Sequence, residues 1–131
     1  YFLKNNFYEF EDYLVCGTRG WLCPGDTRYT DHDKKIYLRE VGRLKLSLES
    51  AVNSGKYNDN IILMMHFPPT NDKHDKSEFI ELIEKYNIKR VIYGHLHGKK
   101  KYDNSLIGNE NNVEYSLVSA DYLGFKPIKI L

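Results

Sequence analysis

The sequence has little of what defines several common protein classes. It contains only two cysteines, Cys16 and Cys23, in 131 residues. They are too few for a disulfide framework and too far apart for a C-x-x-C motif, so we expect both thiols to be reduced and packed. The longest uninterrupted apolar run covers residues 61–65. A membrane-spanning helix needs about 20 such residues.

The chain also lacks an excess of charge of either sign. Its 19 Lys and Arg residues nearly balance its 18 Asp and Glu residues, which gives a formal net charge of +1. A near-neutral chain has no global attraction for nucleic acid or for an anionic membrane. Since the first residues do not follow the basic-then-apolar pattern of a signal peptide, we expect a cytoplasmic protein without membrane or nucleic-acid partners.

Hydrophobic patterns divide the first half of the chain into strands and a helix. Residues 13–23 combine β-forming residues with two glycines, which indicates a strand, a tight turn and a second extended piece. An apolar repeat at helical spacing predicts a helix over about residues 31–54, with Thr30 and Asp33 as its capping pair. Residues 60–67 form an apolar run without alternation, which predicts a strand covered on both faces.

The second half of the chain continues this alternation. Asp75 and Glu78 predict the start of a second helix, and Asn87 is expected to end it in a left-handed conformation. Residues 89–94 predict the next strand, and a polar loop follows. Two further strands are predicted at residues 113–120 and 126–131. Strands and helices in this order are typical of an α/β fold.

Three histidines follow predicted parallel strands. His66 closes one strand and His95 closes the next, and the intervening helix orients the two strands alike. We therefore expect both imidazoles at the carboxyl edge of the sheet, where open α/β sheets bind ligands. In extended backbone His95 and His97 point to the same side, about 6–7 Å apart, within reach of one metal or of two adjacent metals. Neutral imidazoles suit zinc, iron, manganese or nickel.

Other candidate residues have structural explanations. Arg19 follows a strand end, where it either faces an anionic substrate or stacks on Trp21 or Tyr29. His32 is expected in the first turn of the long helix, and His74 in a solvated loop. We assign none of these residues to a site.

The segments YGHLHG (residues 93–98) and MMHFPP (residues 64–69) resemble the last two motifs of the calcineurin-like metallophosphoesterases. The ordered signature of that family is D-x-H, G-D-x-x-D, G-N-H-D/E, a lone His and G-H-x-H. The segments CGTRGWLCPGD, HDKKIYLREV and LVSADYLGFKPIKIL look like a bacterial branch of predicted phosphohydrolases within the family. The resemblance covers almost the whole chain, but only the second half of the family's domain.

This resemblance implies a fold and a chemistry. Residues 1–131 would form the C-terminal half of a single α/β domain, a sandwich of two packed mixed β-sheets flanked by helices. His66 and His95 would bind one metal of a binuclear centre, and His97 would bind the other. The two divalent metals, Mn, Fe or Zn, would clamp the phosphate of a mono- or diester and activate the hydroxide that hydrolyses it. The expected substrate is a phosphorylated small molecule or macromolecule.

The remaining motifs of the signature are expected before Tyr1, so the chain is expected to be a fragment that lacks the N-terminal half. The acid histidine and the carboxylate ligands belong to those motifs, and no catalytic residue is assigned within this chain. We expect the fragment to bind metal weakly, to hydrolyse little and to self-associate through uncovered strand edges. The look-alike segments GDTRY, DKH and GNEN depart from the motifs and lie in turn-rich sequence.

Two other functions stay open at the level of the sequence. In the first, His66, His95 and His97 hold a single zinc or nickel ion in a non-enzymatic binding module. In the second, the chain is a structural or interaction domain whose histidines are incidental. The substrate is not defined by the fold, because loops and caps that differ between members determine it.

Overall fold

Six strands and three helices make up the fold. The structure is a computed structural model and describes residues 2–131. The strands are β1 (Phe7–Phe10), β2 (Tyr13–Thr18), β3 (Ile61–Met65), β4 (Arg90–Tyr93), β5 (Gly108–Glu110) and β6 (Val113–Leu117). The helices are α1 (Asp31–Asn53), α2 (Glu78–Lys85) and α3 (Lys99–Asp103). The strands form one mixed sheet in the order β1-β2-β3-β4-β6-β5, which confirms the predicted α/β class.

The centre of the sheet is parallel. Strands β2, β3, β4 and β6 pair in parallel, whereas β1 and β5 pair antiparallel at the two edges. Parallel neighbours need a crossover connection. Helix α1 supplies it between β2 and β3, and α2 supplies it between β3 and β4. The carboxyl ends of all four central strands consequently lie at one edge of the sheet.

One face of the sheet forms the core together with the helices. Its side chains alternate along each strand with those of the opposite face, as the strand period requires. The core residues of the sheet are Leu14, Cys16, Ile61, Leu63, Met65, Val91, Tyr93, Val113, Tyr115 and Leu117. The helices contribute Tyr37, Leu44, Leu48, Ala51, Phe79, Ile80 and Ile83. Since each large apolar side chain contributes about 1.5–3 kcal/mol on burial, this layer dominates the stability of the fold.

The opposite face of the sheet is only partly covered. Ile62 is buried there, but Met64 is 45% exposed, so the expectation that β3 is covered on both faces is wrong at Met64. Beside it, Gly17 on β2 faces Met64 on β3, and a Cβ on Gly17 would overlap the carbonyl oxygen of Met64. The two strands therefore require glycine at this position.

Helix α1 begins as the sequence predicts. The Asp33 carboxylate accepts hydrogen bonds from the backbone N–H and the hydroxyl of Thr30, both at 2.8 Å. The negative charge in the first turn also interacts favourably with the helix dipole. Among residues 2–131, neither α1 nor any other helix is long and apolar enough to cross a membrane.

Helix α2 begins later than the sequence suggests. Ser77 is its N-cap, and the Ser77 hydroxyl accepts a hydrogen bond from the N–H of Ile80 at 3.1 Å. Asp75, the predicted cap, instead accepts a hydrogen bond from the side chain of Asn71 at 2.8 Å. The predicted stop is confirmed, because Asn87 has a φ of 54°.

Three further sequence predictions are corrected. The stretch predicted as a polar loop contains α3 and β5, and strand β1 was not predicted. The last predicted strand, residues 126–131, does not form. Strands β1 and β5 already occupy the sheet edges, and Pro127 has no N–H to give to a ladder. The Arg90 guanidinium, at the start of β4, donates instead to the carbonyl of Ile130.

Both cysteines are buried and unpaired, as predicted. Cys16 lies in β2 and Cys23 in the loop that follows it. Burial raises the pKa of the Cys16 thiol to about 11 and that of the Cys23 thiol to about 12. Because the thiolate is the reactive form, burial leaves both thiols unreactive as nucleophiles at neutral pH.

A pair of glycine substitutions tests the close approach of β2 and β3. We expect Gly17→Ala to lower the free energy of unfolding by about 1–3 kcal/mol, because the new methyl group overlaps the β3 backbone. Gly42→Ala should raise it by about 0.5–1 kcal/mol, because Gly42 lies within α1 and a Cβ there meets no atom within 4 Å. Urea unfolding followed by circular dichroism measures both. Equal effects at the two positions would contradict the packing described.

Candidate metal centre

His66 and His95 meet where β3 and β4 end. Met65 lies opposite Tyr93 in the parallel register, and the N–H of Gly94 donates to the carbonyl of His66 at 3.2 Å. Nδ1 of His95 lies 3.1 Å from Nε2 of His66. The prediction that the topology brings these two imidazoles to one edge is confirmed.

The backbone of His95 is strained. Its φ is 68°, and the N–H of Leu96 donates to the carbonyl of Gly94 at 2.8 Å. A hydrogen bond across three residues with a positive φ at the centre is the rare, strained form of the γ-turn. Holding a residue other than glycine in this conformation lowers the stability of the fold by about 1–3 kcal/mol. The expectation that His95 is extended is therefore wrong; the turn presents its imidazole to His66.

The ring of His95 is packed and neutral. It stacks on Phe67, with ring centroids 3.9 Å apart and an angle of 28° between the planes. Burial, and secondly the neighbouring His66, lower the pKa of His95 below its ordinary value. At pH 7 the ring therefore has a free nitrogen lone pair, as a metal ligand must.

His97 is held by a different partner, the carboxylate of Asp121. Nδ1 of His97 lies 2.8 Å from Oδ1 of Asp121, and Oδ2 accepts a hydrogen bond from the N–H of Gly98 at 3.2 Å. Hydrogen bonds from Tyr102, and then from His97 and Gly98, hold the pKa of Asp121 well below its usual range. With Nδ1 on a carboxylate, Nε2 of His97 is the nitrogen oriented for a ligand, an arrangement typical of metal-binding histidines.

Sequence reasoning did not assign Asp121. It follows β6, the fourth strand of the parallel core, and so lies at the same edge of the sheet as the histidines. An acidic residue just after the carboxyl end of a parallel strand was the available signal. Its pairing with His97 depends on β4 and β6 being neighbours, which the sequence does not specify.

The spacing of His66 and His95 fits a shared ion. Two imidazole nitrogens that each bind one ion at about 2.0–2.1 Å lie about 2.9–3.4 Å apart, and the observed separation is 3.1 Å. Within residues 2–131, however, no three or more His, Cys, Asp or Glu side chains are grouped so that they could hold an ion. The described part of the chain thus has a pair of imidazoles at the spacing of metal ligands but no complete metal shell.

The other candidate residues have structural roles. The Arg19 guanidinium lies 4.7 Å from the ring centre of Trp21 and 3.5 Å from the buried carboxylate of Glu40, so the stacking interpretation is confirmed. His32 lies in the first turn of α1, as predicted. His74 is exposed, and its Nε2 lies 2.7 Å from the carbonyl oxygen of Asn104.

Comparison with known proteins identifies the family. The family model for calcineurin-like phosphoesterases matches residues 2–99, about three quarters of the chain. The chain therefore belongs to the calcineurin-like phosphoesterase family, whose members are hydrolases that generally use divalent metal ions. No curated protein and no solved structure matches the chain significantly. The matched region includes His66, His95 and His97 and ends before Asp121.

The strained turn can be tested by comparing alanine with glycine. We expect His95→Gly to be more stable than His95→Ala by about 1 kcal/mol, because glycine adopts a positive φ without strain. At His97, which is not among the positive-φ residues, the alanine variant should be the more stable one by about 0.4–1 kcal/mol. Urea unfolding of metal-free protein measures all four variants. An alanine variant more stable than the glycine variant at position 95 would contradict the γ-turn.

Proposed function

We propose that this chain supplies the histidine ligands of a binuclear metal centre that hydrolyses phosphate mono- or diesters. The observation that carries the proposal is the 3.1 Å contact between His66 and His95 at the carboxyl edge of the sheet, in a chain of the calcineurin-like phosphoesterase family. These two residues would hold one ion, and His97 would hold the other. When bound, divalent ions supply a Lewis acid for the phosphate and a nucleophile at neutral pH.

The chain's own residues prepare this edge for a metal-bound phosphate. The γ-turn and the stack on Phe67 fix the ring of His95. Asp121 fixes the tautomer and the direction of His97. The exposed Lys100 and Lys101, just after the histidine pair, contribute positive charge that attracts an anionic substrate.

The carboxylate ligands would come from outside the described residues. No group of three ligands occurs within residues 2–131, and the motifs that supply carboxylates in the family have no counterpart in proper order here. We propose that this chain alone binds manganese, iron or zinc weakly and hydrolyses little. A longer form of the protein that contains those motifs would complete both shells.

Two alternative functions are disfavoured by particular observations. A mononuclear module would need His97 beside His66 and His95, but these side chains form no group of three ligands in the described chain. A purely structural domain does not account for two imidazoles 3.1 Å apart beside a strained turn at the carboxyl edge of the sheet.

A phosphatase assay with Mn²⁺ tests the proposal. p-Nitrophenyl phosphate and bis-p-nitrophenyl phosphate are offered to the 131-residue chain and to the longest natural form of the protein. We expect hydrolysis by a longer form that contains the carboxylate motifs, a loss of at least about 100-fold in His66→Ala and His97→Ala, and no loss in His74→Ala.

The assay contradicts the proposal in two ways. Hydrolysis by the longer form that survives His66→Ala and His97→Ala would exclude these residues as ligands. Efficient turnover by the 131-residue chain, abolished by His97→Ala, would show that no carboxylates are needed from elsewhere.

A further inference from the structure

A cavity adjoins the candidate metal centre. Its volume is about 290 Å³, and His95 forms part of its wall. Most of the floor is apolar and consists of Trp21, Leu22, Phe67, Pro68, Leu96 and Leu106. Because His95 belongs both to this wall and to the histidine pair, the cavity lies next to the place proposed for the phosphate.

Three rings connect the cavity with the histidine pair. The ring centres of Trp21 and Phe67 are 4.9 Å apart, and those of Phe67 and His95 are 3.9 Å apart. One face of Phe67 is covered by His95, and the Arg19 guanidinium lies over the ring of Trp21. A planar ligand ring would pack against the parts of Trp21 and Phe67 that line the cavity. The floor of the cavity therefore favours an aromatic or heteroaromatic ligand group over a flexible polar chain.

The carboxylates in the cavity wall already have partners. The Asp26 carboxylate lies 3.1 Å from the guanidinium of Arg28, and the Asp72 carboxylate accepts a hydrogen bond from the hydroxyl of Thr27 at 2.6 Å. Burying a polar wall group is costly only when it is left unpaired. These carboxylates consequently do not demand a cationic or strongly polar ligand.

Positive charge lies at the rim of the cavity. Lys100 and Lys101 line it and are exposed, and neither belongs to the ion pairs formed by residues 2–131. Lys99, on the same short helix, does not line the cavity. An apolar floor beneath a cationic rim is complementary to a molecule that joins a ring to an anion.

We propose that this cavity binds the ring of a small phosphoester in which a phosphate is joined to a planar ring system. The phosphate would lie at the histidine edge and the ring on Trp21 and Phe67. This assignment rests on the proposed function, because that function places the phosphate beside His95. Small-molecule pockets measure about 300–1,000 Å³, and a cavity of about 290 Å³ holds one ring system rather than a segment of a polymer.

Fluorescence of the single tryptophan tests the proposal directly. Trp21 is the only tryptophan in the chain, so its emission reports on the cavity. The metal-free chain is titrated with phenyl phosphate, adenosine monophosphate and glycerol phosphate to about 10 mM. We expect a saturable change with at least one ring-containing phosphate, and binding of glycerol phosphate at least about tenfold weaker. The two ring compounds distinguish a simple aryl phosphate from a nucleotide.

Charge reversal at the rim provides the matched variants. We expect Lys100→Glu with Lys101→Glu to weaken binding of the preferred ring phosphate about tenfold, and to leave binding of phenol within about twofold. Lys99→Glu should change neither affinity. These residues are exposed, so the variants should keep the fold. Trp21→Ala, followed by calorimetry, should weaken binding about tenfold by removing part of the ring row.

Several results would overturn the assignment. They are the absence of saturable binding by both ring phosphates, equal binding of glycerol phosphate, and equal effects of Lys99→Glu and the double variant. The titration needs neither metal nor turnover, so it separates the two proposals. Ring binding without histidine-dependent hydrolysis would refute only the proposed function, and histidine-dependent hydrolysis without ring binding would refute only the cavity assignment.

Discussion

Strands β3 and β4 run parallel, with Met65 opposite Tyr93, and the hydrogen bond from Gly94 to the carbonyl of His66 continues this ladder beyond the strands. That bond places the backbone of His66 beside Gly94, the residue that precedes His95. The crossover helix α2 and the apolar layer beneath the sheet hold the two strands in this register. Without parallel pairing, the two imidazoles would leave the sheet at opposite edges.

The stability of the apolar core offsets the backbone strain at the candidate site. The strained γ-turn at His95 costs about 1–3 kcal/mol, which burial of one or two large apolar side chains offsets. Two contacts keep the strained conformation in place: the Gly94 hydrogen bond on one side and the Phe67 ring on the other. Natural proteins commonly trade stability for function in this way. The same Phe67 ring also lines the cavity, so one aromatic residue links the proposed metal centre to the proposed ring subsite.

Local sequence signals predicted the elements that local interactions determine. Helix α1 has a clear apolar period and a capping pair at Thr30 and Asp33, and its predicted bounds agree with the structure to within one residue. Strand β1 was missed because its hairpin places Glu11, rather than glycine or asparagine, at a positive φ of 51°. The start of α2 was misplaced because Asp75 and Ser77 are both good caps, and Asp75 instead accepts a hydrogen bond from Asn71, four residues earlier in the preceding loop.

In the candidate site, too, the features set by the order of the elements were predicted, and those set by contacts between distant residues were not. The order of strands and helices was enough to predict that His66 and His95 converge. The left-handed turn at His95 was not visible, because it depends on hydrogen bonds of the neighbouring strand end. Asp121 was not visible as the partner of His97, because its position follows from β6 lying beside β4.

A zinc titration observed through the histidine side-chain nitrogens tests the central claim most directly. In ¹⁵N-labelled protein, we expect Nε2 of His66 and Nδ1 of His95 to shift together as one ion binds. Nε2 of His97 should respond separately, whereas His32 and His74 should keep their metal-free signals. If His97 shifted with the same ion as the other two, the chain would be a mononuclear site. If all five histidines responded alike, the carboxyl edge of the sheet would not be a metal centre.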